Sequence, residues 1–252
     1  MSRFHLTVMK SEQGRFYTQA FHEVVETLAY GLSMLGHDVS YRANVFVPEN
    51  AINIVLGAQF AKSETPFPRG RTILYNLEQL GGNPIHTMSA QLSAEHTVWD
   101  YSPVNMTHWA KHGVDAHYVP IGFVPQLSRI QSELYPSIDV LFYGAVSPRR
   151  ARVIEELQRM RDLKFHHALG FGKERDPAIA RSKVILCMHF YEQPQLYEQV
   201  RCSYLLSNRK AVVCEESDDF PTALTGALSV VPYEGLAQAC RNLVKNVELR
   251  LL

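Results

Sequence analysis

The sequence predicts an α/β protein of two consecutive domains, each built on a parallel sheet. Short apolar runs rich in β-formers alternate with segments of helical period along the whole chain. Several of these runs are continuously apolar, the pattern of strands buried on both faces. A Pro- and Gly-rich segment, Pro120-Ile121-Gly122-Phe123-Val124-Pro125, separates two alternating regions. At 252 residues the chain suffices for two small domains. We divide it into residues 1–121 and 122–252, two Rossmann-like domains facing a cleft.

Residues 4–9 are the first strand, and residues 10–15, with Gly14, a polar loop. A helix over 16–35 would put Phe21, Val24, Val25, Leu28, Leu32 and Leu35 on one core-facing stripe, with Gly36 as its stop. Strands follow at 39–42 and 52–56, the second continuous enough to be central. Pro66, Pro68 and Gly70 mark a loop before a strand that ends at Asn76. Residues 97–100 are a strand; Ser102 or Pro103 opens a helix carrying His108 and Trp109 that Gly113 ends, and 116–119 is the next strand. In the second half, strands are predicted at 139–143, 164–168, 183–188, 210–214 and 229–231. Helices are predicted from Pro148, from about Asp176, over 195–207 with Pro194 in its first turn and Asn208 as its stop, and over 234–252.

Bulk composition excludes several classes. Twenty-five basic and 25 acidic residues cancel, so no overall field recruits nucleic acid or anionic membrane. The four cysteines (Cys187, Cys202, Cys214, Cys240) form no CxxC pair and lie mostly in apolar contexts, which reads as buried thiols in a reducing compartment. The N-terminus is too short and polar for a signal peptide, and no apolar run approaches the roughly 20 residues of a membrane span. A cytoplasmic protein is expected, with peripheral membrane association left open.

The stretch that carries most chemistry is Lys183 to Glu216, read as strand, loop, helix, strand. Such a βαβ unit places its loops at the carboxyl ends of parallel strands, where open α/β sheets bind ligands. Within it, the run from Tyr197-Glu198-Gln199-Val200-Arg201 to Asn208-Arg209-Lys210-Ala211-Val212-Val213 resembles the donor-binding half of GT-B type glycosyltransferases, in particular those of bacterial surface-polysaccharide synthesis. In that family a glutamate-bearing helix leads into a strand through "ANxKxVV"-like residues. The family's two glutamate positions fall here on Leu196 and Tyr204, so Glu198 is a displaced substitute. The chain also stops short of the longer C-terminal region usual in such enzymes.

The resemblance implies an enzyme: a nucleotide-sugar-dependent glycosyltransferase with 1–121 as acceptor domain and 122–252 as donor domain. Its partners would be a nucleotide-sugar donor and a glycan or lipid-linked glycan acceptor. No cofactor, catalytic metal or nucleic acid is implied. A sugar-nucleotide epimerase and a catalytically silent GT-B-like scaffold are the competing readings.

Candidate site residues follow from chemistry. Gly144 ends a strand, Ser147 and Pro148 open a helix, and Arg149 and Arg150 sit in its first turn, where each cation should cost about 0.3–1 kcal/mol against the helix dipole. A bound anion would reverse that sign, which makes Gly144, Arg149 and Arg150 the diphosphate candidates; water or internal acids around the arginines are the plainer alternative. Gly170 and Gly172 permit close backbone approach to a ligand, and in similar enzymes this loop lies near the nucleotide base. His189 and Tyr191 follow the next strand. Glu198 either accepts hydroxyl hydrogen bonds from ribose or sugar, or pairs with Arg201 three residues on. Glu78 and then Asp100 are the candidate general bases for an inverting transfer, each just past a buried strand; a solvated loop glutamate is the plainer reading of Glu78. The acidic run 215–219 reads as a solvated loop rather than a metal cluster, and Glu215 or Glu216 as a residue that can touch ribose.

Overall fold

The computed structural model describes residues 1–10, 19–47, 50–61, 65–80, 93, 95–193 and 195–251. Its backbone divides into two compact units, Met1–Val124 and Pro125–Leu252, meeting inside the segment that the sequence marks as a linker. Both are parallel-sheet α/β units, a two-domain Rossmann-like fold.

The first unit holds strands β1 (Arg3–Val8), β2 (Asp38–Tyr41), β3 (Ile52–Leu56), β4 (Thr72–Asn76), β5 (Thr97–Asp100) and β6 (Ala116–Tyr118), in the order β2-β1-β3-β4-β5-β6. Helices α1 (His22–Met34) and α2 (Pro103–Lys111) belong to it. The second unit holds β7 (Ile138–Tyr143), β8 (Phe165–Ala168), β9 (Ser182–Cys187), β10 (Ala211–Glu215) and β11 (Ser229–Val231), in the order β11-β10-β9-β7-β8. Its helices are α3 (Pro148–Arg159), α4 (Asp176–Ala180), α5 (Gln199–Ser207), α6 (Leu236–Lys245) and α7 (Val247–Leu251). Each sheet steps outward on one side from its first strand, then crosses to build the other. The switch points fall between β1 and β3 and between β7 and β9, where a crevice opens at the strands' carboxyl ends. In the second unit, Val140, Phe142, Val184, Leu186 and Val213 from the sheet pack against Val153, Ile154 and Leu157 of α3 and Leu236 and Cys240 of α6.

Local signals place most elements. Ser102 caps α2 by accepting from the Val104 and Asn105 amides, and Ser147 caps α3 by accepting from Arg150 N, each with proline next. Gly36 stops α1 at φ 80°, its neighbour His37 donating to the Leu32 carbonyl at 3.1 Å.

Three expectations need correction. The α1 stripe fades along the helix: Leu28 and Leu32 are half-buried and Leu35 is 74% exposed, because only the first turns pack on the sheet. Helix α5 begins at Gln199, not near 195. The preceding segment is held by the loop after β10, where Asp218 N donates to Gln195 O and Asp219 accepts from Tyr197 N. Helix α5 stops as expected after Asn208, but the left-handed residue is Arg209 at φ 52°. The last helix is broken at Asn246, whose backbone is extended and whose side chain accepts from Leu249 N to start α7. Gly14, the predicted helix start at 16–18, Gly81, Gly82, Pro194 and residue 252 lie outside the described residues. Among the described residues no helix is long and apolar enough to cross a membrane.

Candidate functional site

The carboxyl ends of β7, β9 and β10 converge on a buried cluster of charge. Gly144 follows the last residue of β7 at φ 120°, and a Cβ there would come within 3.0 Å of Arg201 Nη2. Glycine is therefore what lets the α5 arginine lie against this loop. Arg201 stacks over the Tyr143 ring at 4.9 Å and reaches Glu198 Oε2 at 3.7 Å. The expected i,i+3 pair of Glu198 and Arg201 thus forms, and Glu198 also accepts from Arg150 Nη2 at 3.2 Å. Arg150, 3% exposed, donates further to the carbonyls of Ala145, Met188 and His189. Burial pushes its pKa down to about 10, against the opposing pull of Glu198.

Arg149 is 8% exposed and forks onto Glu215, the last residue of β10, which is 2% exposed. Its guanidinium lies 3.9 Å from the Tyr233 ring centroid, and the Tyr233 hydroxyl donates to the Arg149 carbonyl at 2.7 Å. The mismatch expected at the start of α3 is thus corrected from within the chain. Glu215 and Glu198 supply the anions, across 66 and 48 residues of sequence. Three arginines against two glutamates leave a formal excess of one positive charge among these five groups.

Three buried polar atoms in the cluster have no partner among the described residues: Arg201 Nη1, His189 Nδ1 and the Tyr143 hydroxyl. His189 is fully buried, and its backbone N–H donates to Glu215 at 2.9 Å. Its Nε2 lies 2.8 Å from the Glu216 carbonyl, which can only accept, so Nε2 carries the proton. In the neutral ring Nδ1 is then an acceptor waiting for a donor, whereas Arg201 Nη1 is a donor waiting for an acceptor. Beside the cluster opens a pocket of about 530 Å³ lined by Arg149, Arg152, Glu192, Glu215, Glu216 and Tyr233, among others. Its carboxylates outnumber its cations, which suits hydroxyl-bearing groups.

Of the other expected residues, Tyr191 is outside the cluster but stacks edge-on against Phe190, which lies under Arg150. Gly170 and Gly172 both adopt positive φ after β8, and a Cβ at Gly170 would crowd Glu174, so this loop is shaped by its own turn. It reaches the arginine cluster through His167 Nε2, on β8, 2.9 Å from the Gly144 carbonyl, and through Arg175, whose N–H donates to Gly172 O and whose guanidinium lies 5.1 Å from the Tyr143 ring centroid. The sequence marks Arg201 only as a pairing partner of Glu198 and gives Tyr143 and Tyr233 no role. Position is a signal for Tyr143 alone, the last residue of β7 beside the switch point; Arg201 lies inside α5 and Tyr233 beyond the edge strand β11. Among the described residues no group of three His, Cys, Asp or Glu side chains is arranged to hold a metal ion.

In the first unit Glu78 and Asp100 have different fates. Glu78 is half-buried beyond β4, its Oε1 accepting from Gln59 Nε2 at 3.1 Å. Asp100 is fully buried and receives four donors: Ser102 N, Asn105 Nδ2, Asn76 Nδ2 and Trp109 Nε1, at 2.7 to 3.1 Å. Burial outweighs these donors and pushes its pKa up to about 6. An acceptor hydroxyl has no lone pair left to approach, so the expectation of Asp100 as a base is corrected. It positions the strand ends instead. Asn76 and Asn105, both bonded to it, also donate to the Glu78 carbonyl, and Asn105 Oδ1 accepts from Leu80 N. The group it holds in place is the loop carrying Glu78.

No family model matches the chain. An uncharacterized protein of Acanthamoeba polyphaga mimivirus is 23% identical over 243 residues, covering 92% of this chain and 83% of that protein. A second uncharacterized protein of the same virus is 25% identical over 183 residues, covering 69% of this chain and 60% of its own length. Among solved structures, MurG of Acinetobacter baumannii aligns over 98% of this chain and 94% of that chain, at a TM-score of 0.39 and 11% identity. At that score and identity the likeness says nothing of what this chain binds.

Proposed function

We propose that the chain is a GT-B-like glycosyltransferase that moves a sugar from a nucleotide-sugar to a hydroxyl acceptor, with the second unit as donor domain and the first as acceptor domain. One observation carries the reading. At the switch point of the second sheet, a buried arginine cluster keeps an excess positive charge, an unfilled donor on Arg201 and an unfilled acceptor on His189. A nucleotide-sugar has the complementary parts, anionic phosphate oxygens and sugar hydroxyls. Both atoms are shielded, so a ligand that meets them displaces the side chains above. The neighbouring carboxylate-rich pocket accepts hydroxyl donors from ribose or sugar. As the glycosidic bond breaks, charge develops on the leaving diphosphate, and Arg201 and Arg150 stabilise it without a metal.

Nucleoside diphosphates are expected to raise the melting temperature with chelator present, by about 2.7 kcal/mol of stabilisation at a hundredfold excess over Kd. Stabilisation only with magnesium or manganese overturns the metal-free part of the proposal. No stabilisation by any nucleotide favours a silent scaffold, a reading supported by how fully Arg149 and Arg150 are engaged by the chain's own acceptors.

Glu78 is the group we assign as base. Glu78→Gln should leave donor binding intact and cut transfer by roughly 10²–10⁴. A variant as active as the parent enzyme removes that role and points to a retaining reaction.

A further inference from the structure

The amino ends of β10 and β11, opposite the cluster just described, carry a second cavity of about 760 Å³. Ala211 and Ser229, the first residues of these strands, line it, as do residues at the end of α5 and in α6 and α7. Glu215 lies at the other end of the same five-residue strand, roughly 13 Å away at 3.3 Å per residue. The two cavities are therefore separate.

Its wall combines apolar side chains (Leu206, Val212, Leu228) with three cations, Arg209, Lys210 and Arg250, and, among the described residues, no carboxylate. Lys210 is the anomaly. It is 6% exposed, and its ammonium donates to Ser132 Oγ at 2.9 Å with no acidic partner among the described residues. Buried lysines are rarely left without an anion, and burial alone pushes this one down to about 8. Arg209 adds a second oddity. It occupies the left-handed position after α5, closed by Arg209 N to Leu206 O and Lys210 N to Leu205 O, where glycine is the usual residue. The helix dipole accounts for a cation near this end but not for burying the next one. Arg250 donates to the Leu243 and Val244 carbonyls, which fixes its guanidinium beside the cavity.

We propose that this cavity is a second ligand site, taking an amphiphilic anion whose carboxylate or phosphate head meets Lys210 and Arg209 and whose apolar chain lies on Leu206, Val212 and Leu228. Its volume falls in the range of small-molecule sites. The head supplies the missing counter-ion and the chain covers the apolar wall.

The test is calorimetric titration of the full chain with decanoate below its micelle concentration, against decanol, inorganic phosphate and phosphatidylglycerol vesicles. Decanoate should bind one to one, at least tenfold tighter than decanol or phosphate. Lys210→Met should weaken it tenfold or more while raising the ligand-free melting temperature, since an unpaired buried cation is gone. Lys210→Arg should retain binding. Arg209→Gly, which suits the local backbone and so keeps the fold, should weaken decanoate several-fold. Equal binding of decanol shows a merely apolar cavity, and equal binding of phosphate a simple anion site. Binding to vesicles alone shows a membrane surface. Each of these, or unchanged affinity in Lys210→Met and Arg209→Gly, overturns the proposal.

Discussion

Arg149→Ala is expected to lower unfolding stability by roughly 3–5 kcal/mol, the usual cost of removing one partner of a buried ion pair. The reason is Glu215. It is 2% exposed and receives the Arg149 fork together with the His189 amide; without the guanidinium its charge stays buried with one donor. Arg149 also covers the Tyr233 ring, so alanine opens a gap as well. Urea unfolding measures the loss directly. The pair itself need not be net stabilising, because two desolvated charges repay little more than their own burial. Arg149→Met with Glu215→Leu should therefore cost far less than the two single changes added together. Additive losses, or an unchanged midpoint for Arg149→Ala, would show that the fork does not hold in solution.

That expectation reverses the sign read from sequence. Arginines in the first turn of a helix look unfavourable when only the helix is considered, and their removal then looks neutral or stabilising. The acids that answer them come from β10 and from the start of α5, and nothing local to α3 announces either. The same distinction between local and distant causes runs through the fold. Ser147-Pro148 and Ser102-Pro103 are complete start signals in themselves, and α3 and α2 begin where they say. Strand β5 likewise coincides with its apolar run, Thr97–Asp100. Helix α5 begins late because Asp218 and Asp219, beyond the next strand, hold its approach extended. For the site, the sequence brought forward Gly144, Arg149, Arg150, His189 and Glu198, which the fold gathers at one switch point. It could not show that Glu198 bridges two arginines, that Arg201 needs a bare Gly144 beside it, or that Asp100 is sealed beneath Trp109.

Asp100→Ala is expected to be the other severe change, costing about 3–5 kcal/mol, since it removes the acceptor of four donors at once, three of them buried. Asp100→Asn is informative because it keeps the shape. Each carboxylate oxygen accepts from two donors: Oδ1 from Ser102 N and Asn105, Oδ2 from Asn76 and Trp109. An amide must turn its NH₂ toward one of those pairs, so asparagine should also destabilise, by less than alanine. The loss has a pH signature. Burial raises the native pKa of Asp100 to about 6, above the roughly 3.9 of an unfolded aspartate, so between these values the native chain holds the extra proton. The Asp100 contribution therefore falls as pH rises from about 4 to about 6 and is flat above. The stability gap between parent and Asp100→Ala should accordingly widen on acidification through that window. Urea midpoints at pH 7 and pH 4.5, followed by the fluorescence of Trp99 and Trp109, would show it. A gap that narrows in acid would mean the four donors outweigh burial and hold the carboxylate ionised. A full-strength Glu78-dependent activity in Asp100→Ala would separate the Glu78 loop from the network beneath it.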